Sequence, residues 1–266
     1  PAVGQTRSSI ASTIQAGREG APLNPFLYGG FLEHIGNLIN HSLWSEVLDD
    51  RKFFNAINAK PAPQPEGQAG RMRDMNSWVP VGPGSAVTMD TVAPYVGEQS
   101  PVVALAGTEA RGIAQAGLVL AKKDYTGRVV VASDGQADIS ATLIWGDGAG
   151  DRQTVKITAG KDWSTVPLRF SCPGDTQTAR LEITGTGTGS FRLGAVSLMP
   201  ADNIKGFRAD TIALMKEIDC KILRIPGGNF ISSYDWKNTI GDPDKRPPIL
   251  DPVWNFPQPN DVGVDE

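Results

Sequence analysis

Residues 222–236 gather the side chains of this sequence best suited to chemistry. A short apolar run stops at Pro226, Gly227 and Gly228 follow, and then come Asn229, Tyr234, Asp235 and Trp236. Pro226 has no N–H to give a ladder and ends the strand. The two glycines can take φ > 0 and let the backbone approach a ligand closely. Amide, hydroxyl and carboxylate groups beside flat aromatic faces suit a neutral polyol such as a sugar. Phosphate is not suited, because the glycines lack the G-x-G-x-x-G spacing and no Lys-Ser/Thr pair follows them. A second candidate is Glu33, followed by His34, where the apolar run of residues 26–32 breaks off. A carboxylate there is costly to bury unless it is hydrogen-bonded. Glu33 and Asp235 are the best local pair of carboxylates, but binding and packing roles explain both at least as well as acid–base chemistry does.

These groups need elements to hold them. Residues 26–32 and 222–225 read as buried strands. Residues 208–219 read as a helix, with Ile212, Met215 and Ile218 three apart and Leu214 four before Ile218. Strand, helix, strand is the order of a parallel sheet. Leu43/Val47 and Trp44/Leu48 are four apart, which predicts a short amphipathic helix over 43–54, and residues 10–15 predict a weak strand. Residues 61–76 are Pro/Gly-rich and apolar-poor, a linker composition. Between 77 and 200 alternating segments recur at 102–105, 117–120, 128–132, 141–145, 153–157, 164–170, 179–184 and 190–198, the pattern of a β-sandwich. Residues 146–151 and 185–189 then fall at hairpin tips. The spacing of Asp147 and Asp151 is not that of a calcium loop.

The fold class is therefore α/β plus all-β, an antiparallel β-sandwich inserted into a parallel β-α-β order, which is a partial (β/α)8 TIM barrel if the parent fold is such a barrel. The barrel starts in residues 1–60, the linker covers 61–76, the sandwich 77–200, and the barrel continues over 201–266. Connections after barrel strands lie on the C-terminal face, where active sites are built. An insert there is placed to touch substrate.

The 266 residues carry a net charge of −4 and a pI of 5.3, which argues against nucleic acid and anionic membranes as partners. No apolar run reaches the ~18 residues that a membrane span needs. Cys172 and Cys220 are too few for a disulfide framework or a zinc site and read as buried free thiols. With two histidines in the chain, no metal and no cofactor is expected. Pro1 in place of Met points to a processed or clipped N-terminus.

The two strand ends together resemble glycoside hydrolase family 51, whose main activity is α-L-arabinofuranosidase. The likeness lies in residues 28–36, 43–48, 50–53 and 223–230, and runs on through Tyr234, Asp235, Trp236, Ile240, Gly241, Arg246, Pro247, Asp251 and residues 260–266. It implies that Glu33 and Asn229 bind the sugar at the cleavage subsite, that Arg224 orients the catalytic nucleophile, and that Gly227, Gly228, Tyr234 and Trp236 support the loop. The middle is similar to the jelly-roll, carbohydrate-binding-module-like insert of some members.

Family members retain configuration with two glutamates. Their acid/base glutamate lies in an Asn-Glu dipeptide, and this chain has none. The resemblance therefore places both catalytic glutamates beyond Glu266 and makes the chain an N-terminal part, inactive alone. Two strands do not close a barrel, which takes about eight. The implied partner is an arabinose-containing oligo- or polysaccharide, with room for an oligomer. Polymeric plant substrates favour a secreted or periplasmic home, with the cytoplasm as the alternative.

Two other readings stand beside this one. One is a non-catalytic carbohydrate-binding protein working through Trp78, Tyr95, Tyr125, Trp145 and Trp163 as a stacking platform, against a core role for most of them. The other is a glycosidase of the same kind acting on β-glucan or xylan.

Overall fold

In sequence, a seven-stranded antiparallel sheet sits between the two partners of a short parallel pair. The computed structural model describes residues 10–57 and 75–266. Strand β1 (Gly30–Phe31) comes first. The large sheet is built from β2 (Trp78–Val81), β3 (Val87–Asp90), β4 (Ser100–Leu120), β5 (Lys123–Ile144), β6 (Arg152–Ile157), β7 (Ser164–Cys172) and β8 (Thr176–Pro200). Helix α1 (Ala209–Ile218), β9 (Leu223–Arg224) and the hairpin of β10 (Ile249–Asp251) and β11 (Phe256–Gln258) follow.

The sandwich segments merge in a way that their glycines explain. Six of the eight expected strands are halves of three long ones, β4, β5 and β8, which lie side by side as β4-β8-β5. Gly107 pairs with Gly187, and Gly189 with Gly135. All four have positive φ, at 70°, 110°, 90° and 92° in that order. A Cβ at Gly187 would lie 2.0 Å from the Gln136 carbonyl oxygen, and one at Gly189 2.1 Å from that of Asp134. Only glycine fits such a crease. Residues 185–189 are thus a mid-strand bend, not the hairpin tip expected from their composition.

On one side of the crease β3 pairs with β4 and β7 with β5; on the other β2 pairs with β4 and β6 with β5. Both sides supply one apolar cluster, with Val103, Val131 and Phe191 from the first and Ile113, Leu143 and Leu181 from the second. The sheet therefore folds over on itself as a sandwich. The tip expected at residues 146–151 is a turn, in which the Asp151 carboxylate accepts the Gly148 N–H at 2.8 Å.

Outside the sandwich the outcome is mixed. Helix α1 forms within a residue of its expected bounds, ending at Asp219 in the left-handed region, yet none of its residues is buried. Strands β1 and β9 pair in parallel, Gly30 with Leu223 and Phe31 with Arg224, but both are exposed rather than buried, and residues 25–28 form a 3-10 turn ahead of β1. Residues 10–15 form no strand and are exposed. The linker expected at 61–76 lies, up to residue 74, outside the described residues. Both cysteines are free, Cys172 buried as expected and Cys220 only half-buried.

Residues 43–54 are not helical. Their spacing of four arose because almost every side chain there is buried, charged ones included: Glu46, Asp49, Arg51 and Lys52 beside Leu43, Trp44 and Leu48. Glu46 accepts the N–H groups of Val47, Leu48 and Leu198, all within 3.1 Å, and the Ser197 hydroxyl at 2.6 Å. The Glu46 carboxylate oxygens thus take the place that helix carbonyls would fill for the N–H groups of Val47 and Leu48. The Gln115 amide bonds both the N–H and the C=O of Asp49 at 2.8 Å, sewing this segment to β4.

Candidate functional site

The end of the β1/β9 pair brings Glu33 onto the loop after Pro226. The ladder continues past both strands: Leu32 N–H donates to the Arg224 carbonyl at 3.0 Å, and Gly227 N–H to the Leu32 carbonyl at 2.6 Å. A Cβ at Gly227 would lie 2.3 Å from the Phe31 ring, so close packing requires this glycine. Gly228 has φ of 60°, and a Cβ there would lie 2.0 Å from Glu33 Oε2. The second glycine thus makes room for the carboxylate.

Glu33 Oε1 accepts two hydrogen bonds, from the Phe230 N–H at 3.1 Å and from Trp254 Nε1 at 3.2 Å. Its Oε2 has no protein donor among the described residues. His34 stacks on Phe230, centroids 4.3 Å apart, and Tyr234 lies 5.5 Å from the same ring. Burial lowers His34 to about 4, against the raising effect of its hydrogen bond to the Val262 backbone and of the charges on Asp251 and Glu33. The imidazole is neutral at pH 7 and packs as a flat, half-polar plate.

The expected residues divide into those that the loop gathers and those that it leaves outward. Asn229 opens a 3-10 turn (Asn229–Ser232) and is exposed, with no side-chain hydrogen bond among the described residues. Arg224 is exposed with its guanidinium 5.2 Å from the Phe31 ring and no ion pair among the described residues. Tyr234 turns inward and its hydroxyl meets Thr239 Oγ1 at 2.7 Å, whereas Trp236 stays half exposed. The Asp235 carboxylate accepts the Lys237 N–H at 3.1 Å.

Trp254 is the residue that sequence reading missed. Asp251 makes a turn by accepting the Trp254 N–H at 2.9 Å and the Ser233 hydroxyl at 2.9 Å, and this aims the indole at Glu33. The Asp251-Pro252 dipeptide was a readable turn signal. Nothing in the spacing tied it to a residue more than 200 positions earlier.

Chemically, the arrangement is a carboxylate acceptor fixed by two N–H donors, framed by Phe230, Tyr234 and Trp254, with an open amide beside it. It can accept hydroxyl protons and pack against a ring face. Among the described residues no group of three His, Cys, Asp or Glu is placed to hold a metal ion.

The aromatic platform expected on the sandwich is broken up. Trp78 and Tyr125 are buried, and Trp145 packs against the core. Tyr95 and Trp163 meet edge to face at 5.2 Å, with Lys245 over the Tyr95 ring at 3.4 Å and Arg192 over the Trp163 ring at 5.0 Å. A cleft of about 550 Å³ opens elsewhere, between the start of β5 and the entry to α1. Of the charges that line it, Lys123 pairs with Asp202 at 3.0 Å and Arg208 with Asp210 at 2.6 Å.

Comparison with known proteins adds to this geometry. Residues 214–266 match the alpha-L-arabinofuranosidase 1 domain family. Alpha-L-arabinofuranosidase 1 of Arabidopsis thaliana is 25% identical over 262 residues, 89% of this chain and 37% of that protein. The intracellular exo-alpha-(1->5)-L-arabinofuranosidase of Acetivibrio thermocellus is 48% identical over 61 residues, 23% of this chain and 12% of that protein. The chain thus matches less than half the length of either relative. A solved family 61 carbohydrate-binding module, in complex with β-1,4-galactotriose, covers 58% of this chain and 98% of its own at 15% identity, with a TM-score of 0.43. The likeness to family 51 α-L-arabinofuranosidases read at the two strand ends is borne out by these sequence matches.

Proposed function

We propose that the Glu33–Trp254 wall binds a terminal α-L-arabinofuranosyl residue, and that this chain supplies it to a retaining glycoside hydrolase of arabinose-containing plant polysaccharides. The observation that carries this is Glu33 itself. A carboxylate held by two N–H donors through one oxygen, with the other oxygen unclaimed, is built to accept hydroxyl groups. Asn229 is the second sugar-binding residue, its amide free to bond a neighbouring hydroxyl. Arg224 stands in reserve, its guanidinium resting on Phe31, to orient a nucleophile. Asp251, a second carboxylate in the wall, is taken up by the Trp254 N–H and the Ser233 hydroxyl. The wall therefore lacks the free facing pair that glycoside cleavage needs, and its role is binding rather than acid/base or nucleophilic chemistry.

Gly227, Gly228 and Tyr234 shape the loop, and Trp236 offers an outward ring face for the next sugar. The sandwich is the carbohydrate-binding-module-like insert. The relatives from Acetivibrio thermocellus and Bacillus subtilis are named intracellular, which favours the cytoplasmic alternative over secretion. No helix among the described residues is long and apolar enough to cross a membrane.

The test is calorimetric titration of this chain with α-1,5-linked arabinotriose. Hydrogen bonds to a charged group are worth about 1.5–3 kcal/mol, so Glu33→Ala is expected to weaken binding by roughly tenfold or more. No heat from the parent chain, or equal affinity in the variant, would overturn the assignment. Xylotriose and cellotriose, run alongside, decide between this sugar and the β-glucan or xylan alternative.

A further inference from the structure

The loop that carries Trp254 is held from outside the site by a buried charge cluster. Arg51 donates through Nε to Asp261 Oδ2 at 2.6 Å and through Nη1 to Asp244 Oδ1 at 2.6 Å. Lys52 Nζ donates to the Pro243 carbonyl at 2.7 Å and lies 3.0 Å from Asp261. The sandwich enters through Arg128 on β5, which grips Asp244 with two bonds, Nε to Oδ2 at 2.6 Å and Nη2 to Oδ1 at 2.8 Å. Arg51, Asp244 and Asp261 side chains are each at most 5% exposed.

A second grip lies one and four residues further along the chain. Lys245 sits on the Tyr95 ring, and Pro248 packs so closely on Gly97 that a Cβ there would lie 3.0 Å from its ring. Both grips fall immediately before β10, whose Asp251 makes the turn that aims Trp254 at Glu33. The sandwich itself is anchored to the Arg51 segment, because the Val196 N–H donates to the Arg51 carbonyl at 2.9 Å.

We propose that the sandwich is a fixed strut for the site, and that Arg128 is a positioning residue which sets Trp254 against Glu33 by clamping Asp244. The two-bond fork fixes the plane of the carboxylate as well as its distance, which a point charge does not do. The role follows from the clamp and holds whatever sugar the wall takes.

The experiment uses the whole chain, with Arg128→Met, Arg128→Lys and Tyr95→Leu. Amide hydrogen exchange is followed over residues 244–258 and, separately, in β4, β5 and β8. Trp254 emission is isolated by subtracting the spectrum of the Trp254→Phe variant in each background. Arg128→Met is expected to speed exchange over 244–258 at least tenfold, to leave the strands unchanged, and to red-shift the Trp254 emission. Arg128→Lys should fall between Met and parent, restoring charge without the fork. If Arg128→Met does not fold, Tyr95→Leu carries the test, with an expected acceleration of about threefold confined to 244–258. Unchanged exchange in that loop, or an equal rise throughout the sandwich, would overturn the proposal.

Discussion

The sandwich and the β1/β9 region both carry large apolar side chains and treat them oppositely. In the sandwich, Val103, Ile113, Val129, Leu181 and Phe191 are each 0% exposed. Around the parallel pair, Leu27 is 70% exposed, Ile218 74% and Ile222 50%. The difference is closure. Three long strands creased at paired glycines fold over one another and cover both inner faces, whereas a two-residue parallel pair and one helix leave their apolar sides in water. Apolar pattern thus tells which residues favour burial, and the topology of the described residues decides which of them achieve it.

The sharpest way to break this contrast is to empty a position at the crease. The Phe191 ring lies against Gly185, where a Cβ would be 3.1 Å from it, and Phe191 is fully buried. Phe191→Ala is expected to cost about 3–5 kcal/mol, through lost transfer energy and the cavity left behind. Urea unfolding with an unchanged m-value measures it. A cost under about 1 kcal/mol would mean that the two halves of the sheet do not share a core.

What the sequence made legible follows the same division. Period-two alternation placed the sandwich strands, because each is buried on one face and wet on the other. It did not show that six segments were three strands, because a glycine crease and a hairpin tip have the same composition. The spacing of residues 43–54 misled, because a segment buried on all sides carries no period to read. For the site, Glu33, Asn229 and the glycines were legible as types beside a strand end. Trp254 and the Arg51–Asp244–Arg128 clamp were not, since they join positions far apart in the chain and depend on a tertiary path that no local pattern encodes.

Acid sharpens the contrast a second way, because the sandwich has no histidine and the wall has a buried one. His34 titrates near 4 in the fold, lowered chiefly by burial, against an ordinary value of 6.5. Between those values the unfolded chain binds a proton that the folded chain does not, so stability falls as pH falls from 6.5 towards 4. From pH 7 to pH 4.5 the loss amounts to about 2–3 kcal/mol. His34→Phe keeps the stack on Phe230 without a titrating group. The stability of the parent relative to this variant is therefore expected to drop by that amount between the two pH values. An equal response in both proteins would show that the imidazole is not desolvated and that the wall is more open than its packing on Phe230 implies.

The smallest expected effect tests the other side of the comparison. Ile218 ends α1 with 74% of its surface in water, so Ile218→Ala removes little buried area and substitutes a better helix former. The two terms oppose each other, and the net change is expected to stay within about 0.5 kcal/mol in the same urea experiment. A loss above about 1.5 kcal/mol would require a cover over α1 in solution. The β1/β9 region would then behave as a core face rather than a surface, and burial there would be set by what packs on it, as it is at the sandwich crease.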